Sequence, residues 1–270
     1  MIYTAFWRFY RAADTKYTIH SPFVYDFIEN ILEDDRLYYA YHEVETVRKL
    51  LLTYHDEIEV TDYGAGSKYT KASMRPIRQI AKTALSSPAF CRLLFRIVKY
   101  YKPQHILEMG TSLGISTAYL RMGALDSQLH TLEGCPNIAE RADRVFQRLK
   151  LKDIQLRVGP FSETLKTSLE TLQQVDLVFF DGNHRLQPTL DYYEQVLPFS
   201  NEHSIFIFDD IYWSEEMRRA WEQLKEKPEV TLSIDLFSMG LLFFRKDFKS
   251  KQHFKIAPWY WKPWRMGFLR

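Results

Sequence analysis

The sequence predicts an α/β protein. Its core would be a doubly wound, mostly parallel sheet with an antiparallel edge strand, preceded by an N-terminal helical extension. Three observations predict this. From His105 onward, short β-rich runs alternate with helical segments, the βαβαβ rhythm of a parallel sheet covered on both faces. Near the C-terminus, two β-rich runs, Val230–Leu236 and Gly240–Phe244, are separated only by a short turn around Ser238-Met239, which suits an antiparallel pair at the sheet edge. Ahead of His105 the apolar residues recur at helical spacing instead.

In chain order, residues 1–60 read as helices. Ser21-Pro22 is a start signal, an N-cap followed by proline at the first helical position, and Phe23, Phe27, Ile28 and Ile31 follow at helical spacing. Glu43–Tyr54 places Val44, Val47, Leu50 and Leu51 on one face. Asp62–Ser67 contains Gly64 and Gly66 and reads as a turn or loop bordering the site, and Pro88–Tyr101 is apolar and helical. The strand candidates are then His105–Met109, Gln128–Glu133, Ile154–Val158, Asp176–Asp181 and Ser204–Asp209. The helices between and after them are Ser116–Met122, Asn137–Leu149, Ser162–Leu172, Pro188–Val196 and Glu215–Glu226. The organisation expected is a helical extension or cap over 1–87, a ligand-binding domain over 88–247 and a basic aromatic tail over 248–270.

Composition narrows the function classes. With 270 residues, 46% hydrophobic and 26% charged, the chain can bury a sizeable core. A formal net charge of +2 gives no support to nucleic-acid binding. The only cysteines, Cys91 and Cys135, cannot build a disulfide framework and point to a reducing compartment. The N-terminus lacks a signal-peptide pattern and no run of about 18 apolar residues occurs, so a cytoplasmic protein without a transmembrane segment is expected. The last twenty residues carry Lys251, Lys255, Lys262, Arg265 and Arg270, no acid, and Trp259, Trp261 and Trp264. Tryptophans suit a membrane surface, but Pro258 and Pro263 interrupt any helix. Packing back onto the domain is expected, with a membrane-surface contact as the alternative.

The strongest chemical signal is Ile106–Ser116, in which a buried strand ends in a glycine turn and a helix begins. Ligands bind at such carboxyl ends in a doubly wound sheet. Gly110 lets the backbone approach a ligand. The spacing Gly110-x-x-x-Gly114 differs from the Gly-x-Gly-x-x-Gly dinucleotide fingerprint and argues against a nicotinamide-dependent oxidoreductase, which remains the alternative enzyme class. Glu108 precedes the turn, where an amino acid ammonium could be received. Glu133 ends the next strand, 23 residues after Gly110, where an acid can accept from ribose hydroxyls. Asp181 ends a third strand and Asp209-Asp210 ends a fourth, so three carboxylates should meet at one rim. They repel unless a cation or a proton intervenes, and hard oxygen ligands suit Mg²⁺, Ca²⁺ or Mn²⁺. His184 could serve as a general base.

These residues resemble the class I S-adenosylmethionine-dependent methyltransferases, most of all the catechol O-methyltransferase-like branch and its bacterial small-molecule relatives. The resemblance covers about Pro88–Arg245. It implies a Rossmann-like methyltransferase sheet, with Glu108, Gly110, Ser112 and Ser116 around the methionine part of the cofactor. It also implies Glu133 on the ribose, Phe161 and Ser162 near the adenine, and Asp181, Asp209 and Asp210 on a metal. Two positions depart from catechol O-methyltransferase: Asp210 stands where that enzyme has asparagine, and His184 where it has its catalytic lysine. The Asp181-Gly-Asn-His184 run resembles other bacterial methyltransferases, some acting on sugar hydroxyls. The implied reaction is metal-assisted O-methylation of a small-molecule hydroxyl (phenol, catechol or sugar), with Asp181 and His184 as the catalytic pair. A homodimer is the one assembly held open, and a non-catalytic cofactor-binding or membrane-surface protein is the non-enzymatic alternative.

Overall fold

The structure is a computed structural model and describes residues 2–61 and 72–265. The glycine turn at 62–67 therefore lies outside the described residues. The chain opens with helices α1 (Ile2–Ala12), α2 (Pro22–Phe27), which runs on into a π-helical turn at Ile28–Leu32, and α3 (Tyr39–Leu51). Pro22 starts α2 as the sequence predicts, although the Ser21 side chain makes no capping bond. Strands β1 (Glu57–Thr61) and β2 (Ala72–Pro76) then form an antiparallel pair that the helical reading of 1–60 did not include. Ile58 and Val60 turn inward from β1 while Glu57 and Glu59 face out, the period-2 alternation of a half-buried strand. Helices α4 (Ile77–Thr83) and α5 (Pro88–Tyr101) complete the N-terminal part. The start of α5 is fixed by Pro88 at its first turn and by the Ser87 hydroxyl, which accepts from the Phe90 N–H at 3.3 Å.

The alternating region follows as β3 (His105–Met109), α6 (Ile115–Gly123), β4 (Gln128–Glu133), α7 (Pro136–Arg148), β5 (Ile154–Val158), α8 (Phe161–Leu172), β6 (Val175–Phe180), α9 (Leu186–Val196), β7 (Ser200–Asp209) and α10 (Glu215–Lys225). Strands β8 (Leu232–Asp235), β9 (Met239–Phe243) and β10 (Gln252–Lys255) close the sheet, whose order is β10-β8-β9-β7-β6-β3-β4-β5. Strands β5, β4, β3, β6 and β7 pair in parallel, and β9 runs antiparallel to both β7 and β8. The doubly wound, mostly parallel fold is as expected, with one correction. The β8–β9 pair is not the sheet edge, because β10, from the presumed tail, adds to β8 in parallel.

Alternation along the central strands divides the core into two layers. Ile106, Leu177, Phe179, Ile205 and Ile207 face Val24, Phe27 and Ile31 of the N-terminal helices together with Leu94 and Ile97 of α5. Leu107, Val178, Phe206 and Phe208 face Leu165, Leu169, Tyr193 and Trp221 of α8, α9 and α10. Most residues of these central strands thus bury their side chains on one face or the other, which is why the strands read as continuous apolar runs. The N-terminal helices are part of this core: Val24, Phe27 and Ile31 are all fully buried. Beyond β10 the chain packs on α1, where Lys262 Nζ donates to Ala13 O at 2.6 Å and Tyr10 OH donates to Trp261 O at 2.7 Å. Among the described residues no helix is long and apolar enough to cross a membrane.

Candidate active site

The carboxyl ends of β3, β4 and β6 are tied together by backbone. The N–H groups of Gly110 and Thr111 donate to Leu132 O at 3.0 and 3.1 Å, and the Asp181 N–H donates to Met109 O at 2.9 Å. This approach requires glycine at 110. Its φ is +111°, and a Cβ there would stand 2.2 Å from the Asp181 carbonyl oxygen. Gly114, at φ +79°, lets the chain enter α6.

Glu133 is held by the same turn. One carboxylate oxygen accepts from the Ser112 N–H and the other from the Cys135 N–H, both at 2.9 Å, while burial pushes its pKa upward. It borders a cavity of about 830 Å³, within the size range of small-molecule sites. Gly110, Ser112, Glu133, Phe161 and Ser162 line one part of this cavity, and Asp181, His184, Asp209 and Asp210 line another. The turn, the acid at the second strand and the rim acids therefore share one space.

Glu108 and Ser116 do not line it. Glu108 is fully buried beneath the turn. Its Oε2 accepts from the hydroxyls of Thr117 and Thr131, the latter at 2.7 Å. Burial pushes its pKa up to about 7, against the pull of hydrogen bonds from Ser116, Thr117 and Thr131. Its other oxygen, like the buried hydroxyl of Ser112, has no hydrogen-bond partner among the described residues. The position expected to meet an ammonium directly is thus beneath the cavity floor, with one acceptor unspent.

At the rim, β6 and β7 are in register (Phe180 opposite Phe208), so Asp181 and Asp209 come to the same level. Their carboxyls face each other within hydrogen-bonding reach. Burial, and then mutual repulsion, raises Asp181 well above the usual carboxylate range, and burial followed by the charge of Asp210 lifts Asp209 to about 7. Such a pair holds a proton between its oxygens. Asp210 adopts left-handed backbone (φ 53°), its N–H donates to Asp209 Oδ1 at 2.8 Å, and its charge acts on His184. His184 Nε2 is 3.7 Å from Asp181 Oδ1, and burial lowers its pKa, which keeps the imidazole neutral at neutral pH. Among the described residues no group of three or more His, Cys, Asp or Glu side chains is arranged to hold a metal ion. Asp181, Asp209 and Asp210 nevertheless line the same cavity together with His184.

Other walls of the cavity carried no sequence signal for function. Ser86, Ser87 and Phe90 come from the start of α5, and Thr61 and Arg75 from β1 and β2. Only the helix over Pro88–Tyr101 was legible there. Trp213, 65% exposed, and Tyr192, which accepts from the Asn183 amide at 3.2 Å, complete the rim.

Residues 107–211 match the model of a family described as "Methyltransferase domain". No curated protein matches the sequence. Solved structures do resemble the fold. An O-methyltransferase from Bacillus cereus in complex with SAH is 21% identical, covering 82% of this chain and 96% of its own, with a TM-score of 0.54. An SAH-bound methyltransferase from Podospora anserina is 16% identical, covering 84% and 98%, with a TM-score of 0.58. The O-methyltransferase TomG from Streptomyces achromogenes, involved in tomaymycin synthesis and solved with SAM, is 22% identical, covering 60% and 82%, with a TM-score of 0.54. The family match falls on the strands and turns that build the cavity, so residues 107–211 are similar to a methyltransferase domain and the chain shares the fold of these solved structures.

Proposed function

We propose that this chain transfers a methyl group from S-adenosylmethionine to the hydroxyl of a small molecule, a phenol, catechol or sugar. The observation that carries the reading is the shared cavity, which joins the Gly110–Ser112 turn and Glu133 to a neutral histidine at the same rim. The unpartnered hydroxyl of Ser112, which lines the cavity, suits a polar ligand group. Glu133 would hold the ribose hydroxyls, Ser112 and the backbone around Gly110 the methionine part, and Phe161 with Ser162 the adenine. When bound, the cofactor supplies an electrophilic methyl on a sulfonium. The solved relatives bound to SAH or SAM support this assignment.

His184 is the proposed base. Being neutral, it can accept the hydroxyl proton at Nε2, and the nearby charge of Asp210 favours the imidazolium that results. Asp181, 3.7 Å away, positions the ring. The protein contributes mainly by fixing the acceptor oxygen beside the methyl donor. No step is routed through a metal; were one bound, Asp181, Asp209 and Asp210 would hold it and it would lower the pKa of the acceptor hydroxyl. The test is methyl transfer to a panel of phenols, catechols and sugars with labelled cofactor, with and without chelator. The expected outcome is chelator-resistant activity that falls about 10²-fold or more in His184→Ala while SAH binding persists. Activity lost to chelator and restored by Mg²⁺ would reinstate the metal, and full activity of His184→Ala would remove the base.

A further inference from the structure

We propose that the exposed aromatic face formed by α1 and the C-terminal turns docks on the surface of an anionic phospholipid bilayer. In α1, Tyr3 and Trp7 lie one turn apart and are 80% and 61% exposed. Beside them, the 3₁₀ turns Trp259–Trp261 and Pro263–Arg265 present Tyr260, Trp261 and Trp264, 58%, 41% and 54% exposed. The rings are continuous. Tyr10 sits 5.6 Å from Trp7 and 6.1 Å from Trp264, and Phe6 sits 6.1 Å from Trp261, between ring centroids.

Folding does not account for this face. The residue that α1 buries is Phe9, which packs on Tyr212 and Phe237. The turns are held by their backbone and by buried Lys262, not by their outward rings. A contiguous exposed aromatic patch on a folded chain marks an interaction surface.

Charge selects the occupant. α1 carries Arg8 and Arg11, both exposed, and no acid, and neither arginine forms an ion pair among the described residues. In sequence the last twenty residues likewise carry five basic residues and no acid, of which Lys262 is buried, although the whole chain is only +2. Tyrosine and tryptophan at the headgroup level, flanked by unpaired arginines, match an anionic bilayer surface. The tail therefore does both things considered for it. Its backbone packs onto the domain, and its aromatic rings remain outside.

The face also adjoins the catalytic cavity. Trp213 lines that cavity and, equally, a recess of about 210 Å³ between α1 and α10 bordered by Ile2, Arg8 and Phe9. A docked molecule would hold its cavity rim next to the bilayer, so that acceptors dissolved in the membrane have a short path to it.

Co-sedimentation of the full chain with phosphatidylcholine vesicles, with and without phosphatidylglycerol, tests the proposal independently of any methyl transfer. Binding is expected only with phosphatidylglycerol and should weaken as salt rises. Arg8→Gln/Arg11→Gln should lower the partition coefficient about fivefold per arginine. Trp7→Ser/Trp264→Ser should lower it further while SAH binding and thermal melting are retained. Leu125→Ser, which removes a 65% exposed apolar residue just before β4 at the opposite end of the strands, should change nothing. The proposal is overturned by wild-type protein that stays in the supernatant with anionic vesicles, by equal binding of the tryptophan variant, or by variants that dissociate a dimer in a protein that ignores lipid.

Discussion

Gly110→Ala probes the joint between the cofactor turn and the acidic rim. Two costs add. The backbone at φ +111° is one that alanine rarely adopts, a strain of about 1–3 kcal/mol. The new methyl would then lie 2.2 Å from the Asp181 carbonyl oxygen and 2.9 Å from its carbon. Neither atom can rotate away, because the Asp181 N–H is bonded to Met109 O and Gly110 N–H to Leu132 O. The ends of β3 and β6 must separate, and such overpacking costs about 1–3 kcal/mol or more. The expected destabilisation is therefore about 2–6 kcal/mol, read by urea unfolding. Gly159→Ala is the control. That glycine is also at positive φ (+139°), but its added methyl would meet only Thr164 Cγ2 at 3.4 Å, an ordinary contact. It should cost the strain alone, about 1–3 kcal/mol. SAH affinity by calorimetry should fall at least about tenfold in Gly110→Ala, since displacing Asp181 also displaces the turn. Equal stability losses in the two variants, with SAH affinity intact in Gly110→Ala, would refute the claim that β3 and β6 meet here by necessity.

Two further predictions follow from the same geometry. Glu133→Gln replaces one of the two carboxylate oxygens that receive the Ser112 and Cys135 N–H groups with a donor. It should cost about 1.5–3 kcal/mol in stability and weaken SAH binding at least tenfold; unchanged affinity would detach Glu133 from the ribose. His130 is buried, with burial first and Arg157 second holding its pKa down to about 4 from 6.5. The unfolded chain takes up this proton below pH 6.5 and the folded chain only below about 4, so its contribution is lost as pH falls between those values, by up to about 3 kcal/mol. Glu108, raised to about 7 from 4.5, acts in the opposite sense and stabilises more as pH falls through the same range. Asp181 and Asp209, also raised by burial, act in the same sense as Glu108, so wild type should on balance gain stability as pH falls from about 7, and His130→Leu should gain stability relative to it from pH 6.5 to 4. Parallel curves would contradict this.

Among the strands legible in the sequence, the largely buried His105–Met109 and Gln128–Glu133 and the half-exposed edge strand Ile154–Val158 match the observed limits residue for residue. Strand β10 was illegible because Gln-His-Phe-Lys has no β-branched residue and becomes a strand only by pairing with β8. Strands β1 and β2 are five residues each, too short for alternation to outweigh the helical context around them. In the site, Gly110, Glu133 and Asp181 could be found because a strand end fixes where a residue sits. Glu108 shows the limit of that reasoning. Its strand position was right, but its environment comes from Thr117 of α6 and Thr131 of β4, and only packing brings those hydroxyls to it.

The rim acids extend the same point to charge. A sequence can count three carboxylates at adjacent strand ends, and repulsion then demands a compensating positive charge. It cannot say which kind. Here all three carboxylates line one cavity with His184, and burial raises Asp181 and Asp209. Among the described lining residues the acids Glu133, Asp181, Asp209 and Asp210 outnumber the one arginine, Arg75. On the proposed reading this favours a cationic sulfonium over the uncharged sulfur left after transfer. The acidic walls would then hold the charged donor more tightly than the spent one.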